Sequence, residues 1–149
     1  MSVLNPNRAF AQGILGNVVS KSTGTLAATT VPLFTIAGGL VAVTSIVGRV
    51  TTAVTVANSY KLQHNPTAGT TVDIFAATDI GTTDSAAGEI FVVTGLKTDT
   101  LVKGALGVTK PWIIMETGQI EHVSAGTDGV LKWYVSWVPI DDGATLVAA

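Results

Sequence analysis

The segment that decides the fold is Val130–Val138, which reads VLKWYVSWV. Large apolar residues occupy every second position of this segment: Leu131, Trp133, Val135 and Trp137. The positions between them hold Lys132, Tyr134, Ser136 and Val138. Because successive side chains of a strand point to opposite faces, this period of two predicts a strand with one buried face. Asp128-Gly129, just before it, is a hairpin signal.

Similar strand-like segments recur on both sides of this one, separated by Gly, Pro and Asn turn residues at intervals of about 8–12 residues. The predicted strands are Val31–Ile36, Leu40–Val47, Val50–Val56, Tyr60–Gln63, Thr70–Ala76, Ile90–Thr94, Trp112–Glu116, Gln119–Val123 and Val130–Val138. Leu96–Val108 reads as a loop that carries a short helical turn. The fold class predicted is all-β: an antiparallel sandwich, jelly roll or small barrel.

Two finer predictions concern the ribbon from Leu40 to Val56. Val41, Val43 and Val47 are expected on one face by alternation, and Gly48 is expected to form a bulge or bend. The turn before the ribbon contains Gly38 and Gly39, which can adopt positive φ.

The first 30 residues differ from the rest and predict two regions: an N-terminal arm and linker (1–30) and a β-rich body (31–149). Residues 20–30, SKSTGTLAATT, read as a flexible linker. The arm supplies apolar candidates for partner contacts at roughly helical spacing: Phe10, Ile14, Leu15, Val18 and Val19. The alternative is an ordinary edge strand packed on its own domain.

The shortage of charge is the most informative property of the composition. Only 12% of the 149 residues are charged, against about 25% in typical soluble domains. We therefore expect much of the surface to lie against other protein subunits; the alternative is a monomer whose neutral, Thr-rich surface is hydrated by hydroxyls. Residues 1–72 carry four bases and no acid, whereas residues 73–149 carry four bases and ten acids. A molecule with one basic part and one acidic part could pair head to tail with copies of itself.

The sequence shows no catalytic or ligand motif. The chain has no cysteine, and neither His64 nor His122 belongs to a metal-ligand spacing. His122 is expected at the surface or in an interface. We predict no enzyme activity, no cofactor and no metal. The four bases of residues 1–72 are scattered and form no basic stripe, which argues against nucleic-acid binding. The interrupted apolar runs argue against a membrane span.

The tryptophans are the remaining candidates for a role. Trp133 and Trp137 share a strand face and are expected to form a core column. An aromatic subunit contact and a carbohydrate-binding platform are the alternatives, and the sequence does not decide whether Trp112 is core or surface.

Three segments carry a resemblance to a known class: GLVAVTSIVGRVTTAV (39–54), HNPTAGTTVD (64–73) and LKWYVSWVPIDDGA (131–144). Together they resemble small virion structural proteins of tailed bacteriophages, in particular capsid decoration (cement) proteins. The resemblance covers residues 25–149 and has no catalytic motif, so no functional residue is transferred by it.

The resemblance implies a homotrimer on the outer capsid surface of the virion, made in the host bacterial cytoplasm, that clamps adjacent major capsid subunits. Arg8 and Arg49 join the five apolar arm residues as possible partner contacts. The alternative is a phage tail or fibre component, or a receptor- or carbohydrate-binding β-domain.

Overall fold

The computed structural model describes residues 16–93, 100–104 and 112–149, which form two antiparallel six-stranded sheets packed as a β sandwich. Of the three predicted all-β architectures, the sandwich is confirmed. These residues contain no helix, and therefore no helix that could cross a membrane.

Sheet A has the strand order β1-β11-β3-β7-β8, with β9 also paired to β3. Its strands are β1 (Asn17–Thr25), β3 (Val41–Thr52), β7 (Ile90–Val92), β8 (Val102–Gly104), β9 (Ile113–Met115) and β11 (Val130–Pro139). Sheet B has the order β12-β2-β10-β4-β5, with β6 also paired to β4. Its strands are β2 (Thr30–Ala37), β4 (Ser59–Pro66), β5 (Val72–Asp73), β6 (Thr78–Asp79), β10 (Gly118–Ser124) and β12 (Thr145–Ala148).

The core lies between the sheets and is centred on Trp133, which is fully buried. Its indole Nε1 donates a 2.8 Å hydrogen bond to the Tyr60 hydroxyl across the sandwich, and the two rings stack at 6.1 Å. This bond satisfies a polar group that would be costly to bury alone. Trp137 is also buried. The predicted core column of β11 is therefore confirmed.

Gly48 is not the bulge that the sequence predicted. It pairs with Trp133 inside the β3–β11 ladder, and a Cβ atom there would lie 3.0 Å from the indole ring. Glycine therefore makes room for the tryptophan. The register instead shifts at Thr44, because Trp137 pairs with Val43 and Ser136 with Ser45.

The shift at Thr44 also corrects the predicted face of β3. An extra residue reverses the alternation beyond it. Val41 and Val43 are buried as expected, but Ile46 takes the next core position and Val47 is only half-buried.

The linker predicted over residues 20–30 is wrong for Ser20–Thr25, because these residues belong to β1. That strand pairs with β11 from Asn17↔Trp137 to Thr25↔Val130 and forms one edge of sheet A. The edge-strand alternative therefore describes residues 17–25. Residues 1–15 lie outside the described residues.

Three other local predictions need correction. Thr70–Ala76 contributes only the two-residue β5, and Ile74 and Phe75 are both buried, so the expected alternation fails. The predicted strand Tyr60–Gln63 is longer than expected, because β4 runs from Ser59 to Pro66. Leu96–Val108 was predicted as a loop, but Val102–Gly104 forms the strand β8. Residues 96–99 and 105–108 lie outside the described residues, so the short helical turn stays a prediction.

Candidate interaction surface

The side chains on the outer face of sheet A form four rows that run across the strands, and the rows change from apolar at one end of the sheet to cationic at the other. Directly paired residues of neighbouring strands point to the same face, and β11 alternates between the core and this outer face. The first row is apolar: Ile114, Ala42 and Val138. The second row carries Ser45, Ser136 and Val18. The third carries Val92, Val47, Tyr134 and Ser20, and the fourth Ile90, Arg49, Lys132 and Ser22.

The apolar end of this face is exposed. Ile114 is 55% exposed and Val18 64% exposed, and Trp112, two residues before Ile114, is 64% exposed. Ile140, which follows β11 at the same end, is also exposed. A soluble domain exposes single apolar residues routinely, whereas a group of them at one place marks a contact site. We refer to Trp112, Ile114, Val138 and Ile140 as the apolar end.

The opposite end of the face is cationic. Arg49 and Lys132 pair directly across β3 and β11, and Arg49 is exposed. Lys132 Nζ lies 5.3 Å from the centroid of the Tyr134 ring, in a cation–π contact. Among the described residues the one ion pair joins Lys61 to Asp73 on sheet B, so neither cation has a carboxylate within 4 Å there. We call Arg49 and Lys132 the cationic pair.

Carboxylates collect at the apolar end. Glu116 follows β9, and Asp141 and Asp142 follow β11. Asp141 Oδ2 accepts a 2.7 Å hydrogen bond from the Leu40 N–H, which fixes this corner of the chain. His64 Nε2 donates to the Glu116 carbonyl oxygen at 3.1 Å. We call Glu116, Asp141 and Asp142 the acidic rim; an open pocket of about 240 Å³ there is lined by Gly39, Leu40, Glu116, Thr117 and Asp141.

The outer face of sheet B is different, because its polar groups bond to one another. Glu121 is buried and accepts hydrogen bonds from the amides of Gln63, at 2.7 Å, and Asn65, at 3.1 Å. Lys61 and Asp73 form an ion pair at 2.7 Å. Since these groups satisfy each other within the chain, the outer face of sheet A is the better candidate for binding another molecule.

The structure brings together only some of the residues proposed from the sequence as partner contacts. Val18 and Arg49 both lie on the outer face of sheet A, in its second and fourth rows. Val19 is half-buried and packs against the core, so it is not an outer contact. The other four candidates, at positions 8, 10, 14 and 15, lie outside the described residues: Arg8, Phe10, Ile14 and Leu15.

Sequence reasoning missed the two ends of the face. Ile114 and Lys132 were placed on strands but not assigned a role, and Trp112 was left undecided. The positions of Trp112 and Ile114, two residues apart, were a weak signal that both lie on one face. The strand there is only three residues long, which is too short for its periodicity to show which face is exposed. The pairing of Lys132 with Arg49 depends on register, which the sequence alone does not give.

His122 is also placed differently from the prediction. It is 1% exposed, not at the surface, and its ring stacks on Tyr60 at 5.7 Å. Neither ring nitrogen has a hydrogen-bond partner among the described residues. Burial lowers the pKa of His122 to about 4, because the cation is disfavoured away from water. The ring is therefore a neutral core side chain at pH 7.

Asp79 and Asp128 stabilise loops through hydrogen bonds to their carboxylates. Asp79 accepts hydrogen bonds from the Thr82 hydroxyl and from the backbone N–H groups of Gly81, Thr82 and Asn58. Asp128 accepts from the Thr55 N–H and hydroxyl, both at 2.8 Å. These bonds lower the pKa of each carboxyl below its usual value. Within the described part of the chain, no three His, Cys, Asp or Glu side chains are grouped so as to hold a metal ion.

Comparison of the chain with protein-family models, curated proteins and solved structures finds no match. The functional proposal therefore draws on the chain's own sequence and surface.

Proposed function

We propose that this chain is a virion structural protein that decorates and stabilises the outside of a bacteriophage head by clamping adjacent major capsid subunits. The observation that carries the proposal is the outer face of sheet A, with its exposed apolar end on a rigid two-sheet scaffold. Only 12% of the residues are charged, which supports a surface that lies against other protein subunits. The resemblance of residues 25–149 to small tailed-phage virion proteins supports the particular setting.

Such a subunit stabilises the assembled head because its binding shifts the equilibrium between assembled and dissociated capsid subunits. A protein that binds the assembled head and not its dissociated subunits stabilises the head by the free energy of that binding. A β sandwich suits this task because a closely packed core holds the contact residues in fixed positions. In this proposal the chain forms homotrimers, is made in the host bacterial cytoplasm, and acts on the virion surface without nucleic acid, membrane or cofactor.

The proposal is tested by measuring retention of the purified protein on empty heads. We expect Ile114→Ser to weaken retention about tenfold, since a few contact residues carry most of the binding energy of an interface. Val147→Ser is the matched control, because Val147 is similarly exposed, at 51%, but lies in β12 of sheet B. Equal retention of the two variants would remove the outer face of sheet A from the proposal. Failure of the unaltered protein to bind heads would overturn the function.

The contribution of residues 1–15 is tested by deleting residues 2–15. This deletion leaves β1, which begins at Asn17, intact for pairing with β11. A longer deletion into β1 would remove an edge of sheet A and confuse folding with binding. Weaker head retention with an unchanged unfolding midpoint is the expected result, and unchanged retention contradicts a docking role for these residues.

Trp112 favours a second candidate, a tail or fibre component or a receptor- or carbohydrate-binding β-domain. An exposed indole beside Ile114 offers an aromatic platform of the kind that sugars stack on. Titration with oligosaccharides while tryptophan fluorescence is recorded separates the candidates. Saturable quenching that is lost in Trp112→Ala supports the carbohydrate-binding domain, whereas retention on heads without quenching supports decoration.

A further inference from the structure

We infer that copies of this chain associate through the two charged ends of sheet A, where the cationic pair of one copy contacts the acidic rim of the next copy. The inference rests on the proposed function, since it names the surfaces through which copies of the decorating subunit meet. The occupant is a second copy of this chain because one molecule carries both halves of the contact at opposite ends of the same sheet.

The first half of the contact is a cationic pair that has no ion-pair partner in the described part of the chain. Directly opposed like charges on neighbouring strands destabilise a sheet unless another charge compensates them, and Arg49 and Lys132 are so opposed. Glu89 precedes Ile90, the residue paired with Arg49, but forms no ion pair with it. The strands of sheet A carry no acidic residue at all.

The other cations of sheet A do not belong to this pair. Lys21 and Lys103 pair with Trp133 and Phe91, whose side chains face the core. Lys21 Nζ donates to the Ala149 carbonyl oxygen at the side of the sandwich. Of the cations in the sheet A strands that the structure describes, Arg49 and Lys132 are therefore the two on the outer face.

The second half of the contact is the acidic rim beside the apolar end. Glu116 and Asp141 line the same open pocket, and Asp142 is exposed next to it. The cationic head of an Arg or Lys side chain matches these carboxylates, because hydrogen bonds between oppositely charged groups are short and strong.

The two halves cannot neutralise each other within one copy. Lys132 and Asp141 are nine residues apart along an extended chain, a span of about 30 Å at about 3.3 Å per residue. The screening length at physiological ionic strength is about 8 Å. Contact between copies removes that separation. A contact between two different surfaces is head to tail, and it closes into a ring when the rotation between copies allows.

The test is the mass of the purified full chain by light scattering and sedimentation, at low salt and in about 1 M NaCl. We expect an oligomer whose dissociation constant rises with salt. The double variant Arg49→Glu/Lys132→Glu and the double variant Glu116→Lys/Asp142→Lys each weaken association about tenfold or more, because like charges then meet. Combining all four substitutions restores association, because the charges are complementary again.

Two single variants that change the net charge by the same amount control for net charge. Asp142→Lys weakens association, whereas Asp84→Lys, an exposed carboxylate in the loop before β7, does not. Circular dichroism and the thermal midpoint confirm that each variant is folded. A monomer at every salt concentration overturns the inference, and so does an oligomer that ignores either reversal or is not restored by their combination. Head retention is measured separately, so an oligomer that fails to bind heads contradicts the proposed function alone.

Discussion

Replacement of His122 by phenylalanine tests how the core responds to acid. The histidine ring lies between the sheets, stacks on Tyr60, and has no hydrogen-bond partner for either nitrogen among the described residues. A phenyl ring keeps the aromatic contact and cannot be protonated. The His122→Phe variant therefore separates the titration of this ring from its packing.

The magnitude follows from the difference between the folded and unfolded states. Burial lowers the pKa of His122 from 6.5 to about 4. As pH falls through this range, the unfolded chain takes up a proton that the folded protein does not, so the unfolded state is favoured. The stability present above pH 6.5 is lost on the way to pH 4, and at about 1.4 kcal/mol per pH unit the loss is about 3 kcal/mol.

The assay is urea unfolding followed by tryptophan fluorescence, repeated from pH 7.5 to pH 4.5. We expect the free energy of unfolding of His122→Phe to exceed that of the wild type by a margin that grows by about 2–3 kcal/mol over this range. His64→Gln is the control, because the chain has two histidines and this one is only half-buried. Burial also lowers the pKa of His64, so its smaller contribution is measured by the same series.

The reasoning is refuted if wild type and His122→Phe lose stability in parallel as pH falls. Parallel curves would mean that the histidine is protonated equally readily in the folded and unfolded states. The constant difference in free energy of unfolding between the two proteins would then reflect packing rather than titration.

Three further predictions concern the core and one turn. Tyr60→Phe leaves the buried Trp133 Nε1–H without its acceptor, which lowers the urea-derived free energy of unfolding by about 1–3 kcal/mol. Gly48→Ala places a Cβ 3.0 Å from the Trp133 ring, so overpacking lowers the same quantity by about 1–3 kcal/mol, and an unchanged midpoint contradicts the close approach. The bonds from Thr55 lower the pKa of Asp128 below 3.8, so this carboxylate stabilises the fold above that pH and the benefit is lost as pH falls. Asp128→Asn therefore lowers the thermal midpoint at pH 7 more than at pH 3.

The fold class and the tryptophan column were predictable because β11 shows a clean period of two over nine residues. Strand alternation is a local property, and a long strand with one buried face expresses it fully. The same rule failed in β3, where one extra residue at Thr44 moved Ile46 into the core in place of Val47. A bulge is set by the partner strand, here β11, and has no signature in β3 itself.

The candidate surface was less predictable than the fold. Arg49 and Val18 were identified as possible contacts, but from charge and hydrophobicity rather than from position. The row that joins Arg49 to Lys132 exists only because β3 pairs with β11, some 80 residues later in the chain. His122 was misassigned because the sequence does not show which strands flank β10, which lies in the middle of sheet B with β2 and β4 on either side.

The pairing of β1 with β11 has a consequence for synthesis of the chain. Asn17 of β1 pairs with Trp137 of β11, so β1 cannot form its native pairing until the ribosome has added 120 more residues. At about 5–20 residues per second this delay is of order ten seconds on the ribosome. During that time the backbone N–H and C=O groups of residues 17–25 have no native partner, and sheets built from such distant contacts form slowly. Until then, nascent copies on one polysome are exposed to mispairing with each other.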